Sequence, residues 1–414
     1  MRPSFQHLRA LAPSAGNNYA IDWSGIEAIL TDEFAAMRST EQSPLHHAEG
    51  DVLTHTKMVV ESLVADDAWR GLPENRREML FWTAVLHDVG KPATTVFDEY
   101  GRISSRGHSR AGVYFARRFL MEVGAPFRWR EEVCGLMEHH QAPFWLLERD
   151  DPEKKAIEIS LTCNTADLCL HARHDIHGRI CQDAQRVLEN IDLAEMLFSE
   201  SECLGVPRDF PNDTTRIEYL EKHDRYLGFE AHETFRSFVI LMCGLPGAGK
   251  DTWISQHCEN WDKVSLDDLR AEMGISPEAN QGVVLQAAKE RAREHLRAGE
   301  DFVWNATNLT RQKRAELLSL FRDYGAHTCI VYIEPELDTI YAQNRGREAQ
   351  VPPKAFGRML SKLEPPRIDE AHSVMWDVKS GPFFRGTHFI MCETAGYPHV
   401  LGWVGPGSEN IPHL

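Results

Sequence analysis

Histidines paired with carboxylates crowd the first half of this 414-residue chain. In order they are His55, the pair His87-Asp88 in AVLHDVGKP, His108 in RGHSRAG, His139 and His140 in LMEHHQAP, and Asp175 in ARHDIHGR. An adjacent His-Asp pair is expected about once by chance in a chain of this size. Here His174-Asp175 and His223-Asp224 accompany His87-Asp88. Only His87-Asp88 ends an apolar helical pattern in a tight stop, which predicts both side chains exposed at a helix terminus with Lys91 close by. A single such histidine reads as a hydrogen-bonded core residue, whereas this succession on otherwise apolar helices predicts a metal site. Mixed imidazole and carboxylate ligands drawn from several helices suit a divalent transition metal with open positions better than a structural zinc. The segment HHAEGD, residues 46–51, just before His55, reads equally as a helix start or as a source of substrate contacts.

A second chemistry begins at FVILMCGLPGAGKDTW, residues 238–253, where Gly244, Gly247, Gly249 and Lys250 follow an apolar strand. The spacing G-x-x-x-x-G-K alone arises in roughly one chain of this length in ten, but its place between strand and helix is specific. Backbone N–H groups and the positive helix end there can cradle phosphate oxygens, with Lys250 reaching the β and γ phosphates. Asp251 stands where such loops ordinarily carry a Ser or Thr for Mg2+. A carboxylate is a hard oxygen ligand, tolerable beside a triphosphate only with the cation present. Thr252 is the competing ligand, and both stay open.

In VSLDDLRAEMG, Asp267 falls at the carboxyl end of the next strand, where it can accept the proton of an acceptor hydroxyl. Arg270, three residues on, shares its side of the helix and can hold an acceptor phosphate. The same S-x-D-D string is a helix start, with Asp268 read as the cap. Arg345 and Arg347 in NRGREAQVPPKAF precede a proline-rich turn and can neutralise charge on a transferred phosphoryl group. WNATNLTRQKR ends a strand in polar residues, adding Asn305, Asn308 and Arg311 as further candidates.

These residues need scaffolds of two kinds. Residues 22–200 read as helices: VLTHTKMVVESLV, REMLFWTAVLHDVG and AGVYFARRFLMEVG keep a 3.6-residue period, and Gly90 with Pro92, Gly124 with Pro126, and Pro143 supply stops. No alternating strand stands out. Residues 200–236 mix turn residues with a short amphipathic stretch, RIEYLEKHDRYLG. From Ser237 short apolar strands alternate with helices, the pattern of an α/β domain with a parallel sheet. The expected division is 1–205, a connector at 206–236, and 237–414. The closing segment from Gly381 reads as a terminal hairpin.

A formal net charge of −17 argues against sequence-independent coating of duplex nucleic acid and leaves room for a local grip on an end. The longest clearly apolar run, Phe238 to Cys243, is far too short to cross a membrane. The N-terminal stretch has basic residues but no sustained apolar run, so no signal peptide is expected. Nine cysteines without a C-x-x-C pair fit reduced thiols and a cytoplasmic protein.

GLPGAGKDTW, VSLDDLR, NATNLTR and NRGREAQVPPKAF, in this order, resemble the phage-type polynucleotide 5'-kinase family. The resemblance implies transfer of the γ-phosphate of ATP or another NTP, with Mg2+, to a 5'-hydroxyl end. Lys250 would lie on the phosphates, Asp267 would be the general base, Arg270 would hold the acceptor phosphate, and Arg345 or Arg347 would act in the lid. Asp251 departs from that family's Ser or Thr. The order H…HD…H…H…D is similar to the HD phosphohydrolase superfamily. It implies an all-helical domain in which His55, His87, Asp88 and Asp175 hold one metal, such as Mn2+, Ni2+, Co2+ or Fe2+. His108 with His139 or His140 would hold a second, and Lys91 would hold the phosphate. Together the two halves resemble the bacterial HD-Pnk RNA-repair enzymes over nearly the whole chain. That implies RNA or DNA ends as substrates and a nucleic-acid ligase acting downstream. Two rivals use the same residues: a nucleoside or metabolite kinase fused to an HD nucleotidase, and a nucleotide-sensing switch.

Overall fold

The computed structural model describes residues 3–276, 279, 281–347, 350–379, 381 and 383–385. The chain divides into two compact units between Asp209 and Phe210.

The first unit is built of helices. In α1 (Val52–Ala65), Asp51 caps the start by accepting the Thr54 N–H at 2.9 Å, and the buried stripe of Val52, Val59, Val60 and Leu63 includes His55. Helix α2 (Glu74–Leu86) is buried at every position from Glu78 to Leu86, as befits a helix at the centre of its unit. It runs into His87 and Asp88, and a short helix, α3 (Lys91–Thr94), follows. Gly90 makes this turn possible. A Cβ there would lie 2.2 Å from the His108 carbonyl oxygen and 2.4 Å from the Gly112 nitrogen, so only glycine lets α4 (His108–Glu122) sit against it. Between α3 and α4 the chain forms a small antiparallel hairpin, β1 (Val96–Phe97) and β2 (Ile103–Ser104). This corrects the expectation of helices alone; two residues per strand are too few to show alternation. Helices α5 (Phe127–His139), α6 (Thr165–His177) and α7 (Ala184–Glu200) are the other long helices of the unit, and shorter ones, among them Phe5–Leu11, Trp23–Ile29, Thr31–Arg38 and Pro152–Ser160, pack around them.

The second unit is a sheet covered by helices. Its strands are β3 (Ser237–Cys243), β4 (Asp262–Ser265), β5 (Phe302–Asn305), β6 (Ala326–Glu334), β7 (Ser373–Val378) and β8 (Phe383–Arg385), in the order β4-β5-β3-β6-β7-β8. The first five are parallel, and β8 runs antiparallel to β7. The apolar runs 239–243 of β3 and 329–333 of β6, buried throughout, are those of parallel strands covered on both faces. Residues 210–236, read as a connector, group with this unit: helix α8 (Asp213–Glu221) carries the buried Arg216, which donates to the Ala371 and His372 carbonyls at 2.9 and 3.2 Å. Helices α9 (Lys250–His257), α10 (Leu266–Glu272), α11 (Gln281–Ala298), α12 (Arg311–Asp323), α13 (Leu337–Gly346) and α14 (Pro353–Leu360) follow. The hairpin expected from Gly381 onward falls almost wholly outside the described residues, which end at Arg385; within them β8 pairs antiparallel with β7, a strand that precedes that segment. Among the described residues no helix is long and apolar enough to cross a membrane.

Candidate functional site

In the first unit Asp88 is the hub. Its Oδ2 lies 3.2 Å from His87 Nε2 and 3.7 Å from His55 Nε2, and its Oδ1 lies 3.4 Å from His108 Nε2 and 3.9 Å from His140 Nε2. His55 Nε2 is also 3.1 Å from Asp175 Oδ1. The result is two adjoining ligand groups, His55-His87-Asp175 and Asp88-His108-His140, each with its ligand atoms within 4.8 Å of one another.

The other ring nitrogens decide what these groups offer. Nδ1 contacts a backbone carbonyl in all four rings: His55 to Gly178 at 3.0 Å, His87 to Ala84 at 2.8 Å, His108 to Ser105 at 2.8 Å and His140 to Met137 at 2.7 Å. A carbonyl only accepts, so Nδ1 carries the proton and Nε2 of each neutral ring presents a lone pair. The Nε2 atoms of His55 and His87 and the Asp88 Oδ1 are buried without a hydrogen bond, while Asp88 Oδ2 meets the Lys91 ammonium. Four imidazole lone pairs and two carboxylates converging in a buried site fit one or two divalent transition-metal ions.

The surrounding charges support that state. Burial would raise the Asp88 carboxyl, but Lys91 and His87 more than offset it and hold it well below the usual range. Lys91 Nζ lies 2.6 Å from Asp88 Oδ2 and donates to Gln42 Oε1 at 2.6 Å. Asp175 is likewise held low against burial, chiefly by Arg179, which donates to both of its oxygens at 2.8 Å. Burial would lower His55, but Asp175 and Glu49 outweigh it, so the pocket favours positive charge at that ring. His140 is pushed well down by burial and by the neighbouring His108 and His87 rings.

Several expectations change here. His87 and Asp88 are not exposed at a helix end; they are 0% and 1% exposed, because α4 closes over the turn. His140, not His139, joins the cluster. Successive positions on a helix point about 100° apart, so one of the two must face elsewhere, and His139 is only half-buried. Of the other His-Asp pairs, His174 bonds Ser62 Oγ and Asp66 Oδ2, both at 2.9 Å, and His223 and Asp224 are exposed. Both readings of residues 46–51 hold in part. Asp51 caps α1, while Glu49 accepts from His47 Nδ1 at 2.7 Å and from the Ile180 N–H at 2.9 Å and lies 3.1 Å from His55 Nδ1. Sequence reasoning missed Gln42, Arg179 and His171. His171 is fully buried, with its ring centroid 5.4 Å from that of His87, and its place one helical turn before Asp175 was the available signal.

In the second unit the loop after β3 turns through Gly244, Gly247 and Gly249, all at positive φ. A Cβ on Gly247 would lie 2.9 Å from the Asn344 nitrogen and 3.1 Å from the Ile340 oxygen, so α13 packs directly on the loop. Lys250 is buried and its Nζ donates to the Gly244 and Leu245 carbonyls, both at 3.0 Å. Burial pushes its ammonium down to about 8, and the charges acting on it include Asp251, Arg347 and Asp267. Asp251 and Thr252 are both exposed, and Asp251 Oδ1 accepts from Asn305 Nδ2 at 2.7 Å.

Asp267 is 70% exposed in its side chain, pairs with Arg270, and lies 3.9 Å from Arg347 Nη2. Ser265, not Asp268, caps α10: its Oγ accepts the Asp268 N–H at 3.2 Å, and the Asp268 side chain pairs with Lys263 at 2.8 Å. Arg345 is exposed on the last turn of α13. Residues 348 and 349 of that arginine segment lie outside the described residues, but Asn344 closes its base, donating to Val351 O at 3.0 Å and accepting from Val351 N at 3.2 Å. Asn308 and Arg311 serve the scaffold. Asn308 donates to Met242 O at 2.7 Å, and Arg311 donates to Asp369 Oδ2 at 2.6 Å. The buried Arg314, not anticipated, ties Glu370 to the Asn308 and Glu364 carbonyls.

Residues 52–167 match the HD domain family, and residues 239–366 match an AAA domain family. The chain joins an HD domain to a phosphate-loop AAA domain. The HD match includes His55, His87, Asp88, His108 and His140 and stops before His171 and Asp175, which the fold brings in. The HD and AAA units together fit a nucleotide-processing fusion. The multifunctional CCA protein of Halorhodospira halophila is 39% identical over 125 residues, covering 30% of this chain and 28% of that protein. The CC-adding tRNA nucleotidyltransferase of Thermus thermophilus is 31% identical over 134 residues, 32% of this chain and 28% of that protein. The chain thus spans little more than a quarter of the length of either relative. A sugar kinase from Janibacter sp. is 17% identical over 34% of this chain and 85% of its own, with a TM-score of 0.27, an overlap too loose to argue from.

Proposed function

We propose that this protein heals broken nucleic-acid ends, the AAA unit as a polynucleotide 5'-hydroxyl kinase and the HD unit as a phosphoesterase acting at the 3' end. The observation that carries this reading is Asp267: a carboxylate open to solvent, flanked by Arg270 and Arg347, whose charge bears on the buried Lys250. An open base beside arginines suits a large acceptor that brings its own phosphate. An enclosed pocket would suit a small metabolite.

In the kinase, Lys250 leaves the loop carbonyls for the β and γ phosphates. Asp267 accepts the 5'-hydroxyl proton as that oxygen bonds to the γ phosphorus and the bridge to the β phosphate breaks, releasing the nucleoside diphosphate. Arg270 holds the acceptor phosphate, and Arg347 or Arg345 neutralises charge on the moving group. In the HD unit a divalent metal, when bound, would supply an acidified water and would polarise a phosphoryl oxygen. His55, His87, Asp88 and Asp175 would hold one ion, and His108 and His140 with Asp88 a second. Lys91, hydrogen-bonded to Gln42 and paired with Asp88, would take a phosphate oxygen. The substrate would be a 2',3'-cyclic or terminal phosphate, which RNA cleavage by 2'-hydroxyl attack leaves opposite a 5'-hydroxyl. A ligase could then seal the pair. The tRNA named for the Thermus relative supports RNA as the polymer.

Labelled ATP with a 5'-hydroxyl oligonucleotide or free nucleosides tests this directly. Label is expected on the oligonucleotide; label on nucleosides alone would assign a metabolite kinase, and ATP binding without transfer would assign a sensor. His87→Ala should abolish release of phosphate from a 2',3'-cyclic end and spare the kinase, and Lys250→Ala should do the converse.

A further inference from the structure

Phosphate loops of this kind ordinarily hold Mg2+ between a hydroxyl on the loop and an aspartate at the end of a neighbouring strand. In this chain both positions differ, and in opposite directions. The loop position is Asp251, and the last residue of β5, the strand beside β3, is Asn305. The two meet: Asn305 Nδ2 donates to Asp251 Oδ1 at 2.7 Å, from a residue only 8% exposed.

Their identities constrain each other. Two carboxylates at that separation repel unless a cation lies between them, so an aspartate at the end of β5 is disfavoured beside Asp251. A neutral amide is compatible, because its N–H can donate to the carboxylate. The pair therefore carries one negative charge, the number an ordinary hydroxyl-and-aspartate pair carries, moved from strand to loop. At the start of α9 that charge also lies at the favourable end of the helix dipole. Thr252, the next residue and exposed like Asp251, shares none of this arrangement.

We infer that Asp251 and Asn305 form an exchanged magnesium-binding pair, with the carboxylate ligand on the loop and the amide on the strand as its positioning residue. The inference rests on reading this unit as an ATP-dependent kinase. It excludes Thr252 as the ligand and makes the two positions interchangeable only as a pair.

The test is nucleotide binding, read by anisotropy of a fluorescent ATP analogue with and without Mg2+, on the full chain and four variants. Asp251→Ser should lose at least about tenfold of the Mg2+-dependent tightening, the loss of one charged contact. Asn305→Asp should weaken Mg2+-free binding, since it sets a second carboxylate beside the phosphates. The double variant Asp251→Ser with Asn305→Asp should recover Mg2+-dependent binding towards wild type, and Thr252→Val should change nothing. Additive losses in the double variant, an unchanged Asp251→Ser, or loss of the Mg2+ effect in Thr252→Val would overturn the inference. A wild-type protein that binds no ATP would overturn the kinase reading itself, a result separable from all of these.

Discussion

His108 Nε2 and His140 Nε2 face each other at 3.2 Å while each Nδ1 is committed to a backbone carbonyl. Two lone pairs at that distance repel unless a cation, whether metal ion or proton, lies between them. Burial disfavours the proton, since both rings are pushed below their ordinary range. Saturating Mn2+ should therefore raise the melting temperature of the HD unit, with a binding contribution of about 2.7 kcal/mol at a hundredfold excess over Kd. His140→Ala and His108→Ala should shrink that shift and the bound-metal stoichiometry, and His139→Ala should leave both alone. A metal content that falls equally with His139→Ala would break the assignment.

Asp267→Asn keeps the shape of an exposed residue and removes only its basicity. Kinase turnover should fall by about 10² or more, the usual worth of a general base, with ATP affinity nearly unchanged. Steady-state kinetics with a saturating 5'-hydroxyl oligonucleotide would show it. Full turnover in the variant would leave Asp267 as no more than a residue of the first turn of α10.

Lys250 gives the kinase site a pH dependence. Its pKa in the free protein is pushed down to about 8, and phosphate anions restore the charged form, so nucleotide binding takes up a proton above that pH. Affinity should be flat below pH 8 and decline above it by at most about tenfold per pH unit. Calorimetry in buffers of different ionisation enthalpy would detect the proton. Lys250→Arg should flatten the profile, because a guanidinium stays charged throughout.

Glu132 makes a separate claim on stability. It accepts the Asn164 N–H at 2.6 Å beside the Arg76-Asp167 pair, and burial raises it from 4.5 to about 7. The folded state thus holds the proton more tightly than the unfolded one. The stabilisation is complete below pH 4.5 and is lost as pH rises through 7. Glu132→Gln keeps an acceptor without the charge, so it should raise the melting temperature at pH 8 and leave it little changed at pH 5. An equal shift at both values would point to packing instead.

The sequence exposed what is repeated or spaced: the apolar period around His55, the stop after His87-Asp88, and the strand leading to Lys250. It could not choose between His139 and His140, because adjacent residues differ by a rotation that only packing fixes. His171 shares a helix face with Asp175 and was legible in principle. Arg179 lies four residues after Asp175, the spacing of a helical ion pair, and was legible in the same way. Gln42 was not, since an exposed-type residue becomes part of a site only through a partner distant in sequence, here Lys91. The two-residue strands β1 and β2 carry no pattern at all, and Arg314 reads as an ordinary charge on an amphipathic helix until the fold buries it.

The strand order has a consequence for the newly made chain. β3 is the central strand, yet both of its neighbours, β5 and β6, are synthesised after β4. The first glycine of the loop is fastened through its N–H to the carbonyl of Thr307, just beyond β5, at 3.0 Å. A ribosome that has delivered every residue of the glycine-rich motif has therefore not yet made a nucleotide site. The motif must wait for the chain to return and insert β5 between β3 and β4, a non-local closure of the kind that slows folding. The ligands of the helical unit, all before residue 180, are by then already synthesised, although joining His55 to Asp175 is itself a non-local closure.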